Sequence, residues 1–296
     1  MPAESDAALL SPYYRDRVRV GGACVVCFCV MWWAGRLLAI PTCPFYEASL
    51  LQQASPVLTI MAVVLLFLLC TAGAVLIAGP VRYNAPLAAA LVGLSAISMR
   101  CGTSRDAIFH GLATAGSPVL FLVLAGELVL LAIVVGLCAW VLAQLHAMNI
   151  IARNDDDRDD EPQPSALPVL ASLGIQTVFT VVLLLLLCTT EAKQQALAGT
   201  FLASMLGAMG AHLLIPAGRY DWYWAPPLVI GIFGYIVAWA DPRGMPTASL
   251  YGPLAALARP LPLDYASAGP AGAIWGYWMA RRWRHRENVR GTSHTG

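Results

Sequence analysis

The sequence predicts an all-α polytopic membrane protein of about eight transmembrane helices, seven being the alternative, built as two parallel four-helix repeats. Three observations carry this. Of 296 residues, 58% are apolar and 12% charged, whereas soluble domains run near half apolar and about a quarter charged. The charges are also clustered: Pro56–Gly79 and Pro118–Leu145 hold a single charge between them, Glu127. Runs of about 20 apolar residues cross a bilayer as helices, because the backbone must satisfy its own hydrogen bonds there. Finally, three short words recur in the same order. Gln-Gln-Ala stands at Gln52–Ala54 and Gln194–Ala196, Arg-Tyr at Arg82–Tyr83 and Arg219–Tyr220, and Tyr-x-Ala-Pro at Tyr83–Pro86 and Tyr223–Pro226. Words repeated in the same order at similar offsets, here 142, 137 and 140 residues, signal duplication, read as a parallel repeat about an axis along the membrane normal.

The expected first crossing, Val20–Ile40, follows Arg15, Arg17 and Arg19. This resembles the start of a signal peptide, but bulky Trp32 and Trp33 stand where small residues would mark cleavage, so the segment is expected to stay as a helix. Pro56–Ala78, the short Pro86–Met99 and Pro118–Leu145 complete a first membrane unit over 20–150, behind an N-terminal tail over 1–19. Residues 151–166 form an acidic linker, solvated by composition. Leu167–Cys188, Ala196–Ile215, Pro226–Ala240 and Ala266–Ala280 make the second unit over 167–283, followed by a basic tail over 284–296. The last crossing is short and carries Gly269, Pro270, Gly272 and Gly276, hence the seven-helix alternative.

With Arg36 set apart near the outer end of the first helix, counting basic residues gives twelve on the side of the two tails and five on the other. That bias places both termini in the cytoplasm. Tyr83, Tyr223 and Trp224 are expected as interface anchors, ring in the apolar zone and polar atom wet, with proline opening the helix that follows. The third crossing would rise only about 21 Å through a core of about 30 Å. Short, Gly/Pro-interrupted helices at matching places in two halves point to a binding site in transporter-like folds. Tilt or local thinning of the bilayer is the simpler explanation.

Glu127 is the sharpest candidate residue. An intramembrane acid is costly and must be protonated or paired, which makes it a functional candidate by default; a neutral Glu bonded to a neighbouring helix is the packing alternative. Arg100, Arg105 and His110 are its candidate partners from the outer segments. His212 and Gln176 are expected mainly as packing residues, His212 also as a candidate polar ligand. Asp241 and Asp264 bracket the last outer loop, as helix caps or solvated groups. Gly272 and Gly276 offer a close-packing face. Cys24 and Cys27 share a helix face, but no second thiol pair or His cluster in the sequence completes a metal site. Cys43, Cys101 and Cys188 fall on the outer side, where a disulfide has no pairing fixed by sequence. Asp155-Asp156-x-x-Asp159 is similar in spacing to the aspartate-rich motifs of polyprenyl transferases, but it lacks a second acidic motif and reads better as solvated linker.

No Walker loop, H-E-x-x-H, G-x-S-x-G or G-x-G-x-x-G occurs, so no catalytic residue, metal or cofactor is assigned. A net charge of +1 gives no reason to expect nucleic acid. The expected partners are the lipid bilayer and other membrane proteins, with any solute unidentified. The expected function is a permease-like or solute-sensing bundle with a polar site near Glu127. One alternative is a non-catalytic membrane scaffold that binds partner helices and lipids. The other is an intramembrane enzyme using Glu127 or the Asp155/Asp159 motif.

Overall fold

The computed structural model describes residues 12–37, 49–53, 55–82, 84–108, 119–148, 150–151, 165–215, 222–240 and 255–293. Tyr83, His110, Asp155, Asp159, Asp241 and Cys43 lie outside them. Among the described residues there is no strand. The main helices are α1 (Pro12–Leu37), α2 (Pro56–Ala78), α3 (Ala85–Ser98), α4 (Val119–Ala147), α5 (Ala166–Leu187), α6 (Lys193–Leu214), α7 (Pro226–Ala240) and α8 (Pro262–Ser293). Short helical turns occur at Leu50–Gln52, 104–108 and Ala256–Ala258.

Five of these helices, α1, α2, α4, α5 and α6, are long and apolar enough to cross a membrane, and α3 and α7 are shorter apolar helices. The set fits a multi-pass membrane protein. The outward faces support this: Leu58, Leu69 and Leu76 of α2, Trp140 of α4 and Leu170 and Leu186 of α5 all stand exposed. Such a continuous apolar circumference suits acyl chains and would be penalised in water.

Helix α3 explains its own shortness. Twelve of its fourteen residues are buried, enclosed by α1, α2 and α8. An apolar helix of 10–14 residues is what a core position asks for. Its alanines let neighbours approach, and a Cβ at Gly93 would lie 2.9 Å from the Cys27 carbonyl oxygen of α1. Helix α8 packs most extensively on α6. A Cβ at Gly272 or Gly276 would overlap the carbonyl oxygen of Phe201 or Met205, so this glycine face is used inside the chain. Helix α4 packs on α7, and α5 on α6.

Contacts at the helix ends fix the direction of travel. Arg100, just past α3, lies over Trp32 near the end of α1. Ser98 at the end of α3 and Lys193 at the start of α6 both meet Asp264 at the start of α8. At the opposite end, Asn84 before α3 meets Tyr223 before α7 and Trp278 late in α8. These contacts place the start of α1 and the late part of α8 at one end of the bundle, called here the Asn84 end; the other is the Asp264 end.

Several helices outrun the apolar segments read from sequence. Helix α8 spans 262–293 rather than 266–280, and α6 starts at Lys193 rather than Ala196. Hydropathy marks only the apolar middle of a helix and does not register its polar ends, where backbone groups lack intrahelical partners.

A leucine at Gly276 should force α8 off α6. The expected cost is about 1–3 kcal/mol, as for overpacked cores, read as a lowered unfolding midpoint in detergent. Gly126→Ala, with nothing within 4 Å of the new Cβ, should leave the midpoint in place. Equal midpoints for G276L and G126A would contradict the α6–α8 contact.

Candidate functional site

The Asp264 end gathers the buried charges. Pro262 opens α8, and Asp264 in its first turn reaches back so that Oδ2 accepts the Leu261 N–H at 2.8 Å. This is the acid half of a capping box, and it places negative charge at the positive end of the helix dipole. The other oxygen, Oδ1, accepts the Ser98 hydroxyl at 2.5 Å and lies 2.8 Å from the Lys193 ammonium. The two charged side chains are 1% and 9% exposed. Lys193 begins α6, where a cation opposes the helix dipole, and the Asp264 carboxylate offsets that cost. The ammonium sits at ion-pair distance without hydrogen-bond geometry among the described residues.

Glu127 lies close by. It is 1% exposed. Its Oε1 accepts the Leu50 N–H at 3.3 Å and its Oε2 the Leu51 N–H at 3.2 Å. Those N–H groups open the helical turn before α2, where they lack intrahelical partners. Glu127 therefore holds that turn against α4. Gln52 of the same turn donates to the Ala107 carbonyl at 3.0 Å, tying it to 104–108. Lys193 is within electrostatic reach of Glu127. The buried Cys101 thiol sits in the field of Lys193, Glu127, Asp264 and Arg100.

The other residues singled out from sequence are spread more widely. Arg100 stacks its guanidinium over Trp32, 5.4 Å from the ring centroid. Arg105 pairs with Glu191 at 2.6 Å and is half exposed; such pairs contribute little. His110 lies outside the described residues. His212 is at the far end, buried and edge-on to Tyr277 at 4.9 Å, with Arg284 donating to its carbonyl. Gln176 donates to the Tyr223 carbonyl at 2.6 Å. Tyr223 is buried, stacked on Tyr277 at 4.2 Å and hydrogen-bonded to Asn84. Trp224 is also buried and approaches Gly136 of α4. Cys101 and Cys188 are both free thiols. Among the described residues no group of three or more His, Cys, Asp or Glu side chains is placed to hold a metal ion.

Sequence reasoning passed over Lys193 and Ser98 and treated Asp264 as a cap or a solvated group. Asp264 does cap α8, but from a buried position. A signal for Lys193 was present: it is the only lysine among the chain's 18 basic residues. Comparison with known protein families, curated proteins and solved structures finds no match for the chain.

Removing one partner of the buried pair should be far worse than removing both. Lys193→Met is expected to cost about 3–5 kcal/mol by leaving Asp264 uncompensated. The double variant K193M/D264N should recover much of that loss. A thermodynamic cycle from unfolding midpoints in detergent measures the coupling. Strict additivity of the two single changes would mean the pair does not interact.

Proposed function

We propose that the chain is a permease-like or solute-sensing membrane bundle whose polar centre is the Glu127–Lys193–Asp264 cluster. The observation that carries the reading is the 2.8 Å Lys193–Asp264 pair, buried at the junction of α3, α6 and α8 with Glu127 in its field. Buried ionisable groups in an apolar bundle are expensive and characteristically mark solute or ion paths. The scaffold alternative drew on Gly272 and Gly276, and those glycines already meet Phe201 and Met205 of the same chain.

Both termini face the cytoplasm in this proposal, from the arginine bias. That puts the Asn84 end inside and the charged cluster toward the outer surface. We also read α1–α4 and α5–α8 as duplicated units. Their helix lengths run 26, 23, 14 and 29 residues against 22, 22, 15 and 32. The cross-unit packing supports it too: α3 meets α8 and α7 meets α4, pairs that exchange when the units are swapped. Within the units the packing has diverged, since α6 lies along α8 while α2 barely meets α4.

Accessibility along α4 tests the reading. In a variant whose native cysteines are replaced, single cysteines go to positions 120, 124 and 127 on the buried face and 122 and 130 on the exposed face. An aqueous maleimide should label 124 and 127 and leave 130 unlabelled. If 124 and 127 stay unlabelled while position 120, at the start of the helix, reacts, the solute reading fails.

A further inference from the structure

Helix α8 carries its own weak point. Pro270 stands inside it. A proline there has no N–H to give the Ala266 carbonyl one turn earlier, and its ring crowds that carbonyl. Ser267 donates its hydroxyl to the Leu263 carbonyl at 2.5 Å, a back-bond that often bends helices. Gly269, just before the proline, brings no side chain to stiffen the backbone. The junction Gly269–Pro270 is thus the place where α8 bends most cheaply.

The two flanks of the junction are held differently. Before it, residues 262–269 go with α7 and the Ala256–Ala258 turn. The Tyr265 ring lies against Gly231 of α7, where a Cβ would come within 2.6 Å of it, and Leu128 of α4 meets the same glycine as closely. Tyr265 donates to the Leu257 carbonyl at 2.8 Å, and Tyr235 of α7 to the Pro260 carbonyl at 2.5 Å. At the junction, Gly269 abuts Pro227 at the start of α7. After it, Gly272 and Gly276 interlock with the Phe201 and Met205 carbonyls of α6, and Tyr277 stacks on Tyr223. That stack anchors the start of α7 beside the second flank, which makes this level a pivot.

The ties from the first flank to α3, α5 and α6 are chiefly polar. Asp264 takes the Lys193 ammonium and the Ser98 hydroxyl, and Arg259 donates to the Cys188 carbonyl at the end of α5. A Cβ at Gly269 would make only ordinary contact with Thr200 of α6, at 3.7 Å. Polar ties at the end of a bundle can be exchanged for water or solute contacts at small cost. Glycine packed on backbone cannot, because nothing replaces the contact when the helices part.

We propose that α8 is a latched hinge. When the Asp264 and Arg259 contacts part, residues 262–269 swing with α7 and the adjoining face of α4 about Gly269–Pro270. The Asp264 end then opens between Asp264 and Lys193, while the second flank of α8 stays locked on α6. Two packed bodies joined at a few bendable residues is the general form of hinge opening. The inference rests on the solute reading above and supplies its gate.

Distances between spin labels test the hinge in the full-length protein in lipid nanodiscs, with native cysteines replaced. One pair spans the gate: Ala255→Cys, and Leu186→Cys at the end of α5. The other lies within one body: Leu170→Cys on α5 and Trp283→Cys on the second flank. All four positions are exposed. The unlatched variant is K193M/D264N/R259Q, which removes the buried pair whole and leaves neither member as a lone charge. In it the 186–255 distance should shift to a longer population, and the 170–283 distance should match the parent. Adding Pro270→Ala restores an N–H to the Ala266 carbonyl and favours the helix, so it should abolish the longer population. A gate distance unmoved by unlatching, a longer population that survives Pro270→Ala, or equal broadening of both pairs overturns the hinge. Maleimide access to 124 and 127 is read separately in the latched chain. A rigid gate with both positions labelled removes the hinge and leaves the solute reading standing.

Discussion

One carboxylate joins three helices. Asp264 caps the start of its own helix, accepts the hydroxyl at the end of α3 and holds the lysine that starts α6. None of these links is local in sequence except the cap. Without it, the Leu261 N–H at the start of α8 would lack its acceptor, and the only lysine would be buried against a helix end of its own sign. The packing of α8 along α6, with glycine against carbonyl, depends on the two helix starts being pinned side by side. Glu127 does the parallel task for α4 and the turn before α2.

Helix α5 is inverted relative to a helix of a soluble protein. The buried residues of α5 are Ser172, Gln176, Thr180 and Leu184, while Leu167, Leu170, Leu185 and Leu186 face outward. Helix α6 answers with Thr200, Ser204 and Gly207. In lipid there is no hydrophobic force between helices, so association relies on close packing of small residues and on polar side chains bonding across the seam. The same rule at the Asn84 end gives a network of Asn84, Tyr223, Trp278 and Gln176 linking α3, α5, α7 and α8.

The helical class and the helix positions were legible in the sequence because they follow from apolar runs and from prolines at helix starts, as at Pro56 and Pro226. Glu127 was legible as a group in need of a partner, because a lone acid in an apolar run must be protonated or paired. Its partners were not, since backbone N–H groups carry no sequence signature. Lys193 entered only the count of outer charges, and Asp264 was expected as a cap or solvated group, because each stands at a helix start, beyond the apolar middle that hydropathy detects. The role of Tyr223 was half visible. Its ring was expected at an interface, but the Asn84 contact that draws it inward spans 139 residues and leaves no local trace. Counting residue types, rather than charges, would have singled out the lone lysine.

The account turns on the lysine–aspartate contact within the bilayer, and dipolar recoupling by solid-state NMR measures it directly. With 15N in the single lysine and 13C in the aspartate carboxyls, the protein in lipid bilayers should show one strong ammonium-to-carboxyl coupling, lost in Asp264→Asn. An ammonium with no coupled carboxyl, exchanging with water as a free lysine does, would contradict it.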